Sequence, residues 1–508
     1  MFRRCYCALN GILVTIEFMI NLLLDPLSRI REFCGAEEFR SLGLPGYLIP
    51  KGHSHVPCVD GEVKENFRDY ESVAKCWMEG ALLFRYRDVM LPEGASVALF
   101  TWVMPGGLGD WTAQHVTASL LRKAMPDLRI ELFTLVDISE KRILSHPDFA
   151  CHMLTYNNRG AATFPPHLLK KLANFSLILQ LPTFYPHFNA LLGEVKKHSF
   201  SKMPECAHVG EYGFIDSEWA HPASGNLCMG LNPLEKGLLL HTELTSIDIL
   251  PSSPFYFAYL VTIRGAATYI HALLNHLSLK NLDITLILCN PLPFLKVLSQ
   301  ENWSCYNLKE IIVIDKTHKT IIPVSESGKK LIIECKENLS SREVQRLFLS
   351  SENFVGCRGD RSFSEVVSLE RFFFYDPLPH SLPFLHDLYE LAKYYFLAYP
   401  SLHSYLKLFL DQTTPPKILG MQISELLFDP SLVIGMQRLI SFLKTDCLFN
   451  PTLINMVKAK ITHHFYPEIQ IEEETHFKEF LSGAHSLEEL LYRERFKHGE
   501  FSKNKPHV

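Results

Sequence analysis

Two glycine-bearing segments, far apart in the chain, constrain its fold more than anything else in it. The first is Pro105-Gly106-Gly107-Leu108-Gly109-Asp110-Trp111 and the second is Gly356-Cys357-Arg358-Gly359-Asp360-Arg361-Ser362-Phe363-Ser364-Glu365. Each follows an apolar, strand-like run and opens a run with helical spacing. A strand, a glycine turn and a helix start expose backbone N–H groups at the turn, which suits an anion. Two such turns, each heading its own series of alternating strands and helices, predict an α/β chain with two Rossmann-like domains facing a cleft.

The 508 residues suffice for two or three domains, and the 47% apolar and 21% charged shares are those of a globular protein. A net charge of -5 argues against nucleic acid as a partner. The thirteen cysteines are odd in number, scattered and without a CxxC pair, which points to a reduced, cytoplasmic protein. The apolar stretch 5–24 is interrupted by Asn10, Glu17 and Asn21 and ends at Asp25-Pro26. It is expected to pack as an amphipathic helix; membrane contact through it is the less favoured reading.

Four regions follow from the pattern. Residues 1–92 form an N-terminal accessory region, with a Gly-, Pro- and His-containing loop from Leu44 to Gly61. Residues 93–248 form a first Rossmann-like domain, with strands at Ser96–Val103, Arg129–Val136 and Phe175–Leu181 and a less regular stretch from Pro182 to Lys236. Within that stretch, Val209-Gly210-Glu211-Tyr212-Gly213 reads as a functional loop or strand end. Residues 249–400 form a second Rossmann-like domain, with strands near Phe255, Ile284, Glu310, Leu331, Asn353 and Phe372. Residues 401–508 are a helical C-terminal region.

The chemistry is expected at the two turns. Asp110, at the mouth of the first sheet, could take a proton from an acceptor or hold a cationic one; the plain structural alternative is a helix N-cap. Gly107 and Gly109 would let the backbone approach a ligand. In the second turn, Asp360, Ser362 and Ser364 offer oxygens at a helix N-terminus, and Arg358 and Arg361 can offset phosphate charge. Glu365 is placed to accept from ribose hydroxyls. Here the alternative is an ordinary Asp or Ser cap with exposed arginines. Asp137, at the end of the second strand, leaves open a nicotinamide-dependent oxidoreductase, although that reading leaves the second turn without a task. His53, His55 and Cys58 are too loosely spaced for a metal centre, and no metal is expected.

The segment Ser351 to Glu365, followed by Arg371-Phe372-Phe373-Phe374-Tyr375, resembles the nucleotide-binding segment of GT-B glycosyltransferases of the bacterial protein-arginine rhamnosyltransferase type, which modify elongation factor P. Gly109-Asp110, Phe257-Ala258-Tyr259 and Met229 to Gly237 fit the same outline in order. The chain departs from it at Glu370-Arg371 and at the interposed Arg361. The resemblance implies a GT-B-like fold and a metal-independent, inverting glycosyltransferase with a nucleotide-diphospho-sugar donor and no further cofactor. It implies that Asp110 acts as base or acceptor-orienting acid. It also implies that Gly107, Gly109, Tyr259, Arg358, Gly359, Asp360, Ser362, Ser364 and Glu365 line the donor site. The acceptor could be a protein side chain. The alternative is a catalytically silent GT-B-like binding protein.

Overall fold

The computed structural model describes residues 53–57, 63–67, Leu83, most of 86–471 and Thr475. Between 86 and 471, residues 104–108, 139–145, 157–163, 213–225, 232–234, 242–253, 279–281 and several single or paired positions are not described. The stretch 5–24, Gly106 and Gly107 therefore lie outside the described residues. The sequence predicts a loop around 53–57, yet β1 (His53–Pro57) pairs antiparallel with β2 (Val63–Phe67). A hairpin needs only two extended segments of matched length about a turn, and apolar patterning does not reveal it.

The first half runs β3 (Ser96–Trp102), α1 (Gly109–Ala124), β4 (Arg129–Asp137), β5 (Ala150–Tyr156), α2 (Pro166–Leu172), β6 (Leu177–Leu181), α3 (Phe188–His198), β7 (Glu205–Gly210) and β8 (Asn226–Cys228). Its six strands lie in the order β5-β4-β3-β6-β7-β8 and every pairing is parallel. Strands β3 and β6 are covered on both faces, which is why they read as unbroken apolar runs. The order reverses between β3 and β6, the point at which a doubly wound sheet leaves a crevice beyond its carboxyl ends.

The second half repeats the scheme. It contains β9 (Tyr256–Ala258), α4 (Ile263–His276), β10 (Ile284–Leu288), α5 (Pro291–Gln300), β11 (Leu308–Asp315) and β12 (His318–Pro323). These are followed by β13 (Lys329–Cys335), α6 (Ser341–Ser350), β14 (Val355–Cys357), α7 (Gly359–Ser368) and β15 (Phe373–Tyr375). The order is β12-β11-β13-β10-β9-β14-β15, with only β12 antiparallel to its neighbour. The reversal here lies between β9 and β14. The chain is thus α/β with two Rossmann-like halves, as expected.

Among the described residues five helices follow: α8 (Leu382–Tyr395), α9 (Pro400–Leu410), α10 (Pro416–Leu427), α11 (Pro430–Thr445) and α12 (Asn450–Phe465). Helix α10 lies along α4, and α12 returns to the first half. There Leu238 and Leu448 form a parallel bridge, Asn450 Nδ2 donates to Leu240 O at 2.9 Å, and the Tyr86 hydroxyl meets His463 Nε2 at 2.9 Å. No single described helix is long and apolar enough to cross a membrane. The eight described cysteines are all free thiols.

The α4–α10 contact depends on Gly420. A Cβ there would lie 2.6 Å from His271 Cβ and 2.9 Å from both Ala272 N and Thr268 O. Backbone atoms cannot yield as a flexible side chain can. Gly420→Ala is therefore expected to destabilise the chain by about 1–3 kcal/mol, read as a lowered midpoint in thermal or urea unfolding. An unchanged midpoint would show that the two helices can separate without cost.

Candidate functional site

The two turns that stand far apart in sequence meet in space. A Cβ on Gly109 would sit 3.7 Å from Arg361 Cβ, so the start of α1 touches the start of α7. Each start follows a strand at its sheet's reversal point, α1 after β3 and α7 after β14. The neighbouring strand across each reversal contributes its own end residue: Thr183 just beyond β6, and Tyr259 just beyond β9. The mouths of the two sheets therefore face each other, as two Rossmann-like halves about a cleft are expected to do.

On the first half, Asp110 lies in the first turn of α1, where the helix dipole favours an anion. The Thr183 hydroxyl lies 2.9 Å from Asp110 Oδ1 and also hydrogen-bonds to Glu211 Oε1 in a short contact. Glu211 follows the end of β7. Sequence reasoning marked its segment but gave neither Glu211 nor Thr183 a part. The available signal was positional, since each is among the first residues beyond the carboxyl end of a strand near the reversal point.

On the second half, α7 begins with no side-chain cap on its N-terminus. Gly359 holds φ 62°, a left-handed value that favours glycine, and a Cβ placed on it would meet nothing within 4 Å. The helix start is thus approachable, with first-turn N–H groups that lack intrahelical partners. The Arg358 guanidinium acts electrostatically on Tyr259 and Asp376. Burial raises the Tyr259 phenol above its ordinary value, and Arg358 partly offsets this. Asp376, buried beyond β15, accepts from Val261 N (2.8 Å), Thr262 N (2.9 Å) and Thr262 Oγ1 (2.5 Å), so it holds the start of α4.

The polar side chains of α7 are turned inward or toward the other half. Ser362 is buried; its hydroxyl accepts from Arg358 N at 2.9 Å and donates to Arg358 O. Ser364 is buried against the Tyr212 hydroxyl. Asp360 Oδ2 accepts from Tyr212 N at 2.7 Å. Glu365 is buried and accepts from Arg361 Nη2 at 3.3 Å and from Gln345 Nε2 at 3.1 Å. Gln345 also lies 3.1 Å from His241 Nε2. Burial, with Arg361 nearby, pushes His241 far below its ordinary value, so it is a neutral acceptor and no ion pair with Glu365.

Thus Asp110, Gly109, Arg358, Gly359 and Asp360 converge at the junction of the halves, with Tyr259 just beyond β9 and Glu365 within α7. Gly107 lies outside the described residues. Asp137 closes β4 in the first sheet. Among the described residues, no group of three or more His, Cys, Asp or Glu is arranged to hold a metal ion.

No protein-family model matches the chain, and no curated protein matches it. Among solved structures the chain is similar to OtsA in its apo form, at 9% identity over 74% of this chain and 98% of that one, with a TM-score of 0.35. It is similar to MurG of Acinetobacter baumannii, at 10% identity over 74% of this chain and 99% of that one, TM-score 0.35. It is also similar to the E. coli heptosyltransferase WaaC with ADP-2-deoxy-2-fluoro heptose, at 12% identity over 55% of this chain and 88% of that one, TM-score 0.31.

Burial first, and then the charge of Glu211, hold the Asp360 carboxyl well above the ordinary carboxylate range. The folded chain therefore binds this proton more tightly than the unfolded chain. The stability Asp360 contributes is full in acid and is lost as pH rises from the ordinary range through the raised value. Asn at this position keeps an oxygen for Tyr212 N–H without the charge. Asp360→Asn should raise the unfolding temperature relative to wild type more at about pH 8 than at about pH 5. An equal or smaller gain at the higher pH would refute the assignment. Tyr212→Phe should cost about 1–3 kcal/mol, since it strips a partner from Ser364 and from Leu239 N–H, which donates to the Tyr212 hydroxyl at 3.1 Å.

Proposed function

We propose that the chain is a glycosyltransferase that moves a sugar from a nucleotide-diphospho-sugar to an acceptor with inversion. The observation that carries this reading is the uncapped, approachable start of α7 at Gly359, facing Asp110 across the junction. The donor's diphosphate would lie against the first turn of α7. Backbone N–H groups and Arg358 would hold it there. Since the Ser362 and Ser364 hydroxyls already have partners, the grip would rest on backbone and guanidinium rather than on those serines. Tyr259 and Glu365 are close enough to act on each other electrostatically, and Glu365, which already accepts from Arg361 and Gln345, would also accept from ribose hydroxyls.

Asp110 would act from the opposite half. It would accept the acceptor's proton as the new bond forms at the anomeric carbon, and the bond to the diphosphate oxygen would break with its electron pair leaving on that oxygen. Arg358 and the α7 dipole would stabilise the departing charge, so no divalent cation is required for the step. The acceptor could be a protein side chain. A cytoplasmic setting would supply the donor.

Thermal stabilisation by a panel of UDP, dTDP, GDP, CMP and NADH tests the donor class. One nucleoside diphosphate should stabilise selectively, by about 2.7 kcal/mol at a hundred times its Kd. That gain should vanish in Glu365→Gln and in Gly359→Ala, whose Cβ strains the left-handed turn. Asp110→Ala should retain the stabilisation and lose sugar transfer. Stabilisation by NADH alone would overturn the reading in favour of an oxidoreductase. Unaltered turnover in Asp110→Ala would remove the base.

A further inference from the structure

Several helices start at the mouth of the second sheet, and their starts are not equally open. Helix α6 is capped by Ser340, whose hydroxyl accepts from Glu343 N at 3.3 Å while the Glu343 carboxylate accepts from Ser340 N at 2.7 Å. Helix α4 is capped by Thr262, whose hydroxyl accepts from Gly265 N at 2.8 Å. Helix α7 has no side-chain cap. The starts of α4 and α7 follow β9 and β14, which pair side by side at the reversal point. They are therefore neighbours, and each offers first-turn N–H groups to an anion.

The α4 start is already filled from within. Asp376, the residue after β15, is 1% exposed, and its carboxyl lies on that start. Oδ2 accepts from Val261 N and Thr262 N, and Oδ1 accepts from Thr262 Oγ1. Because Gly265 N donates to the Thr262 hydroxyl, that hydroxyl keeps its own proton for Asp376. All these partners are donors, the set that a carboxylate takes. Gly265 provides the room, since a Cβ there would overlap the Asp376 carboxyl. Arg358, immediately before α7, acts electrostatically on Asp376, so an anion at either start would share its charge. We propose that Asp376 is a positioning residue for the donor: its carboxylate occupies the α4 start as a phosphate would, and so confines the donor's diphosphate to the start of α7. It touches no reacting atom and acts by exclusion. With the α4 start vacated, a nucleoside diphosphate would have two neighbouring seats, only one of which faces Asp110. The filling of the α4 start is independent of the transferase reading; the consequence for the donor rests on it.

Asp376→Ala empties the seat. Formate, the smallest carboxylate, should then raise the unfolding temperature of this variant saturably, against chloride at equal ionic strength. Wild type should show no such rise, nor should Asp376→Asn, whose amide still fills the space. An alanine variant that folds only with formate present would give the same answer, and Asp376→Ser takes its place if it does not fold at all. No formate response in the folded, vacated variant, or an equal response in wild type, would overturn the proposal.

A kinetic arm uses release of nucleoside diphosphate from UDP-, dTDP- and GDP-sugars. Unproductive seating of the donor withdraws enzyme from turnover without altering the productive route. In Asp376→Ala, kcat and the donor KM should therefore fall together, by about fivefold or more, with kcat/KM within about twofold of wild type, and formate should restore both. A residue that merely supports the fold would lower kcat/KM instead. That result, or an unchanged kcat and KM, would overturn the confinement of the donor. No turnover by wild type with any donor would count against the transferase reading and leave the formate response to decide what fills the α4 start.

Discussion

Tyr212 joins the two halves, and the geometry of the site depends on that joint. Its N–H is held by Asp360, its hydroxyl meets Ser364 and receives Leu239 N–H, and its ring packs at 5.1 Å from that of Phe384. One residue beyond the end of β7, through its backbone N–H, hydroxyl and ring, thereby fixes the start of α7, the onset of the crossing segment and α8. Hydrogen bonds of this kind contribute about 0.5–1.5 kcal/mol each in net terms, so the joint is firm without being permanent. Its more important effect is geometric. It brings the start of α1 against the start of α7, and so brings Asp110 and Gly359 to one place.

The junction is acid-rich by construction. Strand ends near a reversal point have no neighbouring crossover above them, so their side chains project into the crevice. Here those positions hold Thr183 and Glu211, the helix start adds Asp110, and the opposite half adds Asp360. Of these acids, Asp360 is held well above the ordinary carboxylate range, by its burial first and its acidic neighbours next. A hydroxyl between two carboxyls, and a backbone N–H on a third, are the means by which the fold accommodates the set.

Much of the fold was legible because buried parallel strands read as apolar runs. Leu177-Ile178-Leu179-Gln180-Leu181 and Ser96 to Trp102 announced themselves in this way. Other strands were hidden. The edge strand β5 mixes Cys151, His152 and Thr155 with its apolar residues, β8 has three residues, and β12 is exposed on nearly all its positions. Edge strands answer to backbone pairing rather than to burial, so composition says little about them. At the site, the glycine turns located both helix starts. What the chain order could not convey was burial: Ser364 packs against Tyr212, and Glu365 already accepts from Arg361 and Gln345 within the protein. Thr183 was invisible because a lone threonine after Pro182 has no pattern; its meaning comes from lying across a reversal point from Asp110.

The return of α12 has a mechanical consequence. The chain leaves the first half beside Leu238 and comes back beside Leu448, and the two passages are laced together where Leu238 N donates to Cys447 O at 2.6 Å and Phe449 N to Leu238 O at 2.9 Å. Two tethers fastened side by side give the second half a single anchorage on the first, so a substitution that loosens this bridge loosens both passages at once.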